Sequence, residues 1–174
     1  MKTPKSQKLE VIIPAYRMHS QSFFNVLDGI SEEAALKRID NNTNHVVWMA
    51  GNYVNTRYGM GQVLGLDMKD PFDNLFFQAK ALDHTITYPT LEELIVNFKE
   101  VSPLVYQRLL EVTDQELEQD FPIEMGIPFV KEDVLNFVGM CIGRADYLCG
   151  QMGLMRKLLG LPGMKYDLIP NLDY

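Results

Sequence analysis

From Val134 to Leu158 a single stripe can be counted at steps of three and four: Val134, Phe137, Cys141, Arg144, Leu148, Gln151, Met155 and Leu158. Such a repeat is one face of a long helix turned toward a packed interior, and it requires partner helices with matching faces. Three further stretches supply them. Between Lys8 and Ile30 the positions Ile12, Tyr16, His19, Phe23, Val26 and Ile30 alternate in the same way, with Pro14 either an early-turn residue or a kink. The Asn41-Asn42-Thr43-Asn44 cluster is a turn and cap that opens a second long helix, running to about Leu64. Thr90 with Glu93 has the capping-box spacing, so a third long helix starts there and runs to about Glu111, with Pro103 bending it or resetting its hydrogen bonds.

Shorter pieces fill the connections. Ser31-Glu32-Glu33 starts a short helix to Ile39, Leu75 to Leu82 is a weak one, and the second capping box, Thr113 with Glu116, begins another. Phe121 to Val130, with Pro122, Gly126 and Pro128, is irregular or weakly extended. The last helix covers Lys131 to Leu159, and after Gly160 the tail packs over the surface. The expected fold is therefore all-α: a four-helix bundle with short additional helices in its connections. It forms one domain over residues 1–174, with a core of about 8–160 and a tail of 161–174, as suits a chain of 174 residues.

Composition narrows the function by exclusion. A formal net charge of −7 leaves no basic footprint for nucleic acid or an anionic membrane surface, so neither is expected as a partner. No apolar run reaches the ~18 residues of a membrane span, and no apolar segment of a secretion signal follows Met1-Lys2-Thr3-Pro4-Lys5. Cys141 and Cys149 lie in one helix, roughly 12 Å apart along its axis, too far for a disulfide. Reduced thiols and a cytoplasmic location follow as expectations. His19, His45 and His84 are widely separated, and no His-Glu-x-x-His, Cys-x-x-Cys, EF-hand loop, Walker lysine or Gly-x-Ser-x-Gly occurs. Cys149 has no neighbouring histidine in sequence and is expected to be an inert core residue.

What stands out is polarity on apolar faces. Arg144 and Gln151 interrupt the last stripe, His19 interrupts the first, and Asn52 shares a stripe of the second helix with Trp48, Asn55 and Gly59. An inward arginine loses several kcal/mol of hydration unless it meets an acceptor or a bound anion. One such residue alone is more often satisfied by a neighbour. Several helices each turning one inward is the pattern of a polar pocket between helices. Trp48, Met140, Met152 and Met155 are expected in the core. Gly139, Gly143, Gly150 and Gly153 each cost the last helix about 1 kcal/mol relative to alanine, which close helix contact is expected to offset.

Two stretches carry a resemblance to a known family. They are Trp48-Met49-Ala50-Gly51-Asn52-Tyr53-Val54-Asn55-Thr56-Arg57 and Arg144-Ala145-Asp146-Tyr147-Leu148-Cys149-Gly150-Gln151, continued by Leu154, Arg156 and Gly160. From about Val11 to Gly160 the chain resembles the DinB/YfiT-like superfamily of four-helix bundles. Its first motif ordinarily ends Trp-x-x-Gly-His and its second reads His-x-x-x-His-x-Gly-Gln. The resemblance implies a homodimer, and a cleft at one end of the bundle where three histidines hold a divalent metal, often zinc or nickel. Some members transfer low-molecular-weight thiols. Here Asn52, Arg144 and Leu148 stand in the three histidine positions. Leucine has no lone pair, arginine repels a cation and an amide is a poor transition-metal ligand, so the metal site and its reaction are expected to be lost.

The expectation is a metal-free, cofactor-free cleft holding a small anionic or polar ligand near Arg144. Its candidate residues are Asn52, Arg144, Leu148, His19, Trp48 and Gln151, none with an assigned catalytic role. Two alternatives stay open. One is a metal-dependent transferase or hydrolase using other ligands such as His45, Asp146 or His19. The other is a non-catalytic dimeric structural or interaction module.

Overall fold

The structure, a computed structural model, describes residues 2–124, 126–170, 172 and 174. Among these every regular element is helical: α1 (Ile12–Leu27), α2 (Glu32–Ala35), α3 (Val46–Val63), α4 (Asp73–Phe76), α5 (Leu91–Glu111), α6 (Asp114–Leu117) and α7 (Val134–Leu158). Two 3-10 turns, Gln7–Leu9 and Phe77–Ala79, complete the set. The long helices α1 and α3 each pack against the same two partners, α5 and α7. No helix among the described residues is long and apolar enough to cross a membrane.

Most boundaries follow the local chemistry anticipated from sequence. Thr90 and Thr113 both close reciprocal capping boxes, with Glu93 and Glu116. Pro14 falls in the first turn of α1, where the absent N–H costs no helical bond, and α5 runs through Pro103 uninterrupted. The start of α3 differs from expectation. Its cap is His45, whose Nδ1 accepts the Trp48 amide at 2.9 Å, and the Asn41–Asn44 cluster precedes it as a turn. The helix after Ser31 lasts only to Ala35, and that around Leu75 is displaced to Asp73–Phe76. α7 begins at Val134, where the Asp133 carboxylate accepts the Asn136 amide at 2.8 Å.

At the centre Phe23 and Phe98 stack at 4.0 Å between ring centroids, and Tyr53 tilts against Phe23 at 5.1 Å. The two innermost tyrosine hydroxyls are satisfied by backbone: Tyr16 donates to the Ser102 carbonyl at 2.7 Å and Tyr53 to that of His19 at 2.9 Å. The tail lies along α1, with Asn25 donating to the Asp167 carbonyl and the Ile169 amide donating to Gln21.

Two corrections concern α7. Its buried stripe is Val134, Val138, Cys141, Ala145, Leu148, Met152 and Met155, so Phe137, Arg144 and Gln151 flank the core and Leu158 is exposed. The glycines do not mark close packing either. A Cβ built at Gly139, Gly143, Gly150 or Gly153 would meet nothing within 4 Å. Two glycines of α3 do: at Gly61 a Cβ would lie 2.7 Å from Sδ of Met68, and at Gly51 it would lie 2.0 Å from Cζ of the buried Phe76 ring. Absence of a side chain there lets α4 settle onto α3.

Candidate functional site

The segment between Asp70 and Lys80 is clamped along one face of α3 by residues spaced a turn apart. Trp48 Nε1 donates to the Lys80 carbonyl at 3.0 Å, and Asn52 Nδ2 to the Phe76 carbonyl at 3.3 Å. Asn55 Nδ2 donates to both Asp70, at 2.7 Å, and Asp73, at 3.0 Å. The polar stripe of α3 is thus largely occupied in holding this segment. Burial raises the Asp70 carboxyl above its ordinary value, against the lowering effect of the Asn55 amide and the Phe72 N–H.

Asn52 retains its carbonyl oxygen, which faces α7. Arg144 donates to that single Oδ1 from Nε at 3.3 Å and from Nη2 at 2.9 Å. The guanidinium is half-buried and burial lowers its pKa, yet it has no ion-pair partner among the described residues. The acid two residues on, Asp146, is engaged elsewhere with His19 Nε2 at 2.6 Å. The edge carrying Nε and one N–H of Nη2 is therefore held by the amide, and the terminal fork made by Nη1 and the second N–H of Nη2 is left for another acceptor.

Arg144 and Asn52 form one end of a cavity of about 680 Å³ between α3 and α7. The Phe77–Ala79 turn and the irregular segment from Phe121 to Glu124 complete its walls. The latter is held to α7 at its base by a bond from the Phe121 amide to the Glu132 carbonyl, 3.1 Å, and by the Phe121–Phe137 edge contact at 4.8 Å. Cys141 also borders the cavity, but burial pushes its thiol up to about 12, which leaves it a poor nucleophile at neutral pH. Cys149 is buried, free and raised to about 11, chiefly by burial.

Of the six residues singled out in the sequence, the structure brings Asn52 and Arg144 into direct contact. The other four lie off the cavity lining. Leu148 is wholly buried in the core. Trp48 is buried and tied to Lys80, Gln151 donates to the Tyr147 hydroxyl at 2.9 Å, and His19 pairs with Asp146. Burial lowers the His19 pKa in spite of that carboxylate. His45 stands apart as a helix cap, and no three His, Cys, Asp or Glu side chains among the described residues converge to hold a metal ion.

Sequence reasoning missed the cavity's far walls and also Arg57. That arginine is only 1% exposed and has its Cζ 3.5 Å from the Tyr16 ring centroid. Among the described residues its single hydrogen bond goes to the Tyr16 carbonyl at 3.3 Å, while Nε and Nη1 have no partner. The signal for it was its position four residues after Tyr53, on the inner face of α3. No family model matches the chain, and no curated protein and no solved structure proves significantly similar to it.

Proposed function

We propose that this chain is a divergent DinB/YfiT-like four-helix bundle whose cleft carries a guanidinium in place of a metal ion and holds a small anion, above all a carboxylate. The packing of α1 and α3 against the same two helices supports the bundle topology. The direct bond between Asn52 and Arg144, two of the three positions that the resemblance aligns with metal ligands, supports the alignment.

One observation carries the anion: a half-buried guanidinium, oriented by an amide, lines a cavity and has no carboxylate of its own among the described residues. A charge-assisted hydrogen bond contributes about 1.5–3 kcal/mol, so Arg144→Met should weaken carboxylate binding at least tenfold. Calorimetric titration with acetate, benzoate and sulfate reads this directly, and equal affinity of both proteins for every anion refutes the proposal. Stoichiometric zinc, nickel or iron in protein purified without an affinity tag refutes its metal-free part.

The outer face of α7 favours a second reading, a homodimeric module. There Gly139, Gly143, Gly150 and Gly153 have no neighbour, and Tyr147, Leu154 and Leu158 are 56%, 59% and 50% exposed. A monomer mass by light scattering removes it.

A further inference from the structure

The cavity is far larger than a bare anion requires, and its chemistry changes along its length. At one end stand Arg144 and Asn52; along α7 from there lie Met140 and Phe137, and along α3 lie Tyr58, Gly59 and Val63. Phe121, Pro122 and Ile123 close the opposite side, so the wall beyond the guanidinium is mainly apolar and aromatic. Arg144 and Phe137 are two helical turns apart, about 10 Å along the axis. Arg144 is the one cation among the described residues lining this space, and the acids Asp73 and Glu124 line it too. A second or third negative charge on a ligand would meet those carboxylates without compensation.

We infer that the site takes an amphiphilic monocarboxylate, its head on the free Nη1/Nη2 fork of Arg144 and an alkyl or aryl body lying between α3 and α7 toward Phe137. This deepens the anion reading above and rests on it. A planar carboxylate matches the terminal fork with two parallel bonds, while Asn52 fixes the direction in which that fork points. The body displaces water from an apolar wall, so affinity depends on its length.

The chain supplies its own control at Gly59. A Cβ there would lie 4.0 Å from Cζ of Phe137, ordinary contact distance, and Gly59 lines the cavity, so a larger side chain at this position takes up space beside that ring. Leucine in place of a mid-helix glycine also favours α3, and the variant should melt at or above the temperature of the unaltered protein.

Calorimetric titration with sodium acetate, butyrate, hexanoate and octanoate tests the inference. The dissociation constant should fall about fourfold per methylene, levelling once the chain outgrows the apolar wall. Arg144→Met should weaken octanoate binding at least tenfold, and Gly59→Leu should flatten the dependence on length. Arg144-dependent binding with no length dependence overturns this inference and leaves the anion reading standing. Length dependence that survives Arg144→Met overturns it as well, because the head is then not on the guanidinium. If no carboxylate binds in an Arg144-dependent way, both readings fall.

Discussion

Replacing His45 with asparagine separates two roles that this residue combines, capping α3 and titrating. The Trp48 amide donates to His45 Nδ1 at 2.9 Å, so that nitrogen must carry no proton in the folded state. Burial pushes the imidazole down to about 4; an interaction with the backbone of His45 itself opposes this, and the positive field of Arg38 and His84 adds to it. The ordinary value, 6.5, applies when the chain is unfolded. The folded pKa is depressed, so the unfolded chain takes up the proton first and stability falls as pH drops from 6.5 toward 4. The full difference corresponds to about 3 kcal/mol, with about 1 lost by pH 5.5 and about 2–3 by pH 4.5. Asparagine is as good a cap and does not titrate there, so His45→Asn should lie within about 1 kcal/mol of the unaltered protein at pH 7.5. Urea unfolding followed by circular dichroism at pH 7.5, 6.5, 5.5 and 4.5 gives both curves. Subtracting them cancels His19, whose pKa burial also lowers, and Asp70, whose pKa burial raises. A constant difference across the four pH values would show that His45 titrates alike in both states and that the capping bond is absent.

Two further perturbations address the interior. Gly51→Ala places a methyl 2.0 Å from the Phe76 ring and should cost about 3 kcal/mol in urea unfolding, with Phe76→Leu recovering part of it in the double variant. Strict additivity of the two would mean that they do not touch. Arg57→Met removes a buried cation whose desolvation is offset, among the described residues, by one long hydrogen bond and the rings of Tyr16, Tyr53 and Phe98, so the melting temperature should hold or rise. A loss above about 2 kcal/mol would require a buried partner for Nε and Nη1.

The sequence was most informative where one residue type decides one geometry. Thr90 and Thr113 announced their helices through a glutamate three positions on, and Pro103 drew attention to a helix that passed through it. It was least informative about which chain segment answers a polar face. Trp48, Asn52 and Asn55 were legible as a stripe, but not that their partners would be two carbonyls and two carboxylates between Asp70 and Lys80. Those partners arrive through a connection with no periodicity of its own, seated by Phe76 on Gly51. His45 was hidden for a similar reason: a cluster of Asn and Thr just before it is a stronger capping signal by composition.

The α7 stripe shows how a misplaced residue gained meaning. Val134, Cys141, Leu148 and Met155 belong to the buried face on either count, and the choice lies between the residue three positions after each and the residue four after. Three after gives Phe137, Arg144, Gln151 and Leu158; four after gives Val138, Ala145, Met152 and Leu159. The polar pair in the first set could have decided it, because Ala145 and Met152 are the cheaper residues to bury. The structure takes the second set and moves Arg144 to the rim of the core, half-buried and bonded to Asn52. A guanidinium there keeps part of its hydration and needs no permanent carboxylate, whereas one at the centre of the stripe would need its acceptor at all times. On the proposed reading, that position would let an anion bind by replacing water rather than a protein partner.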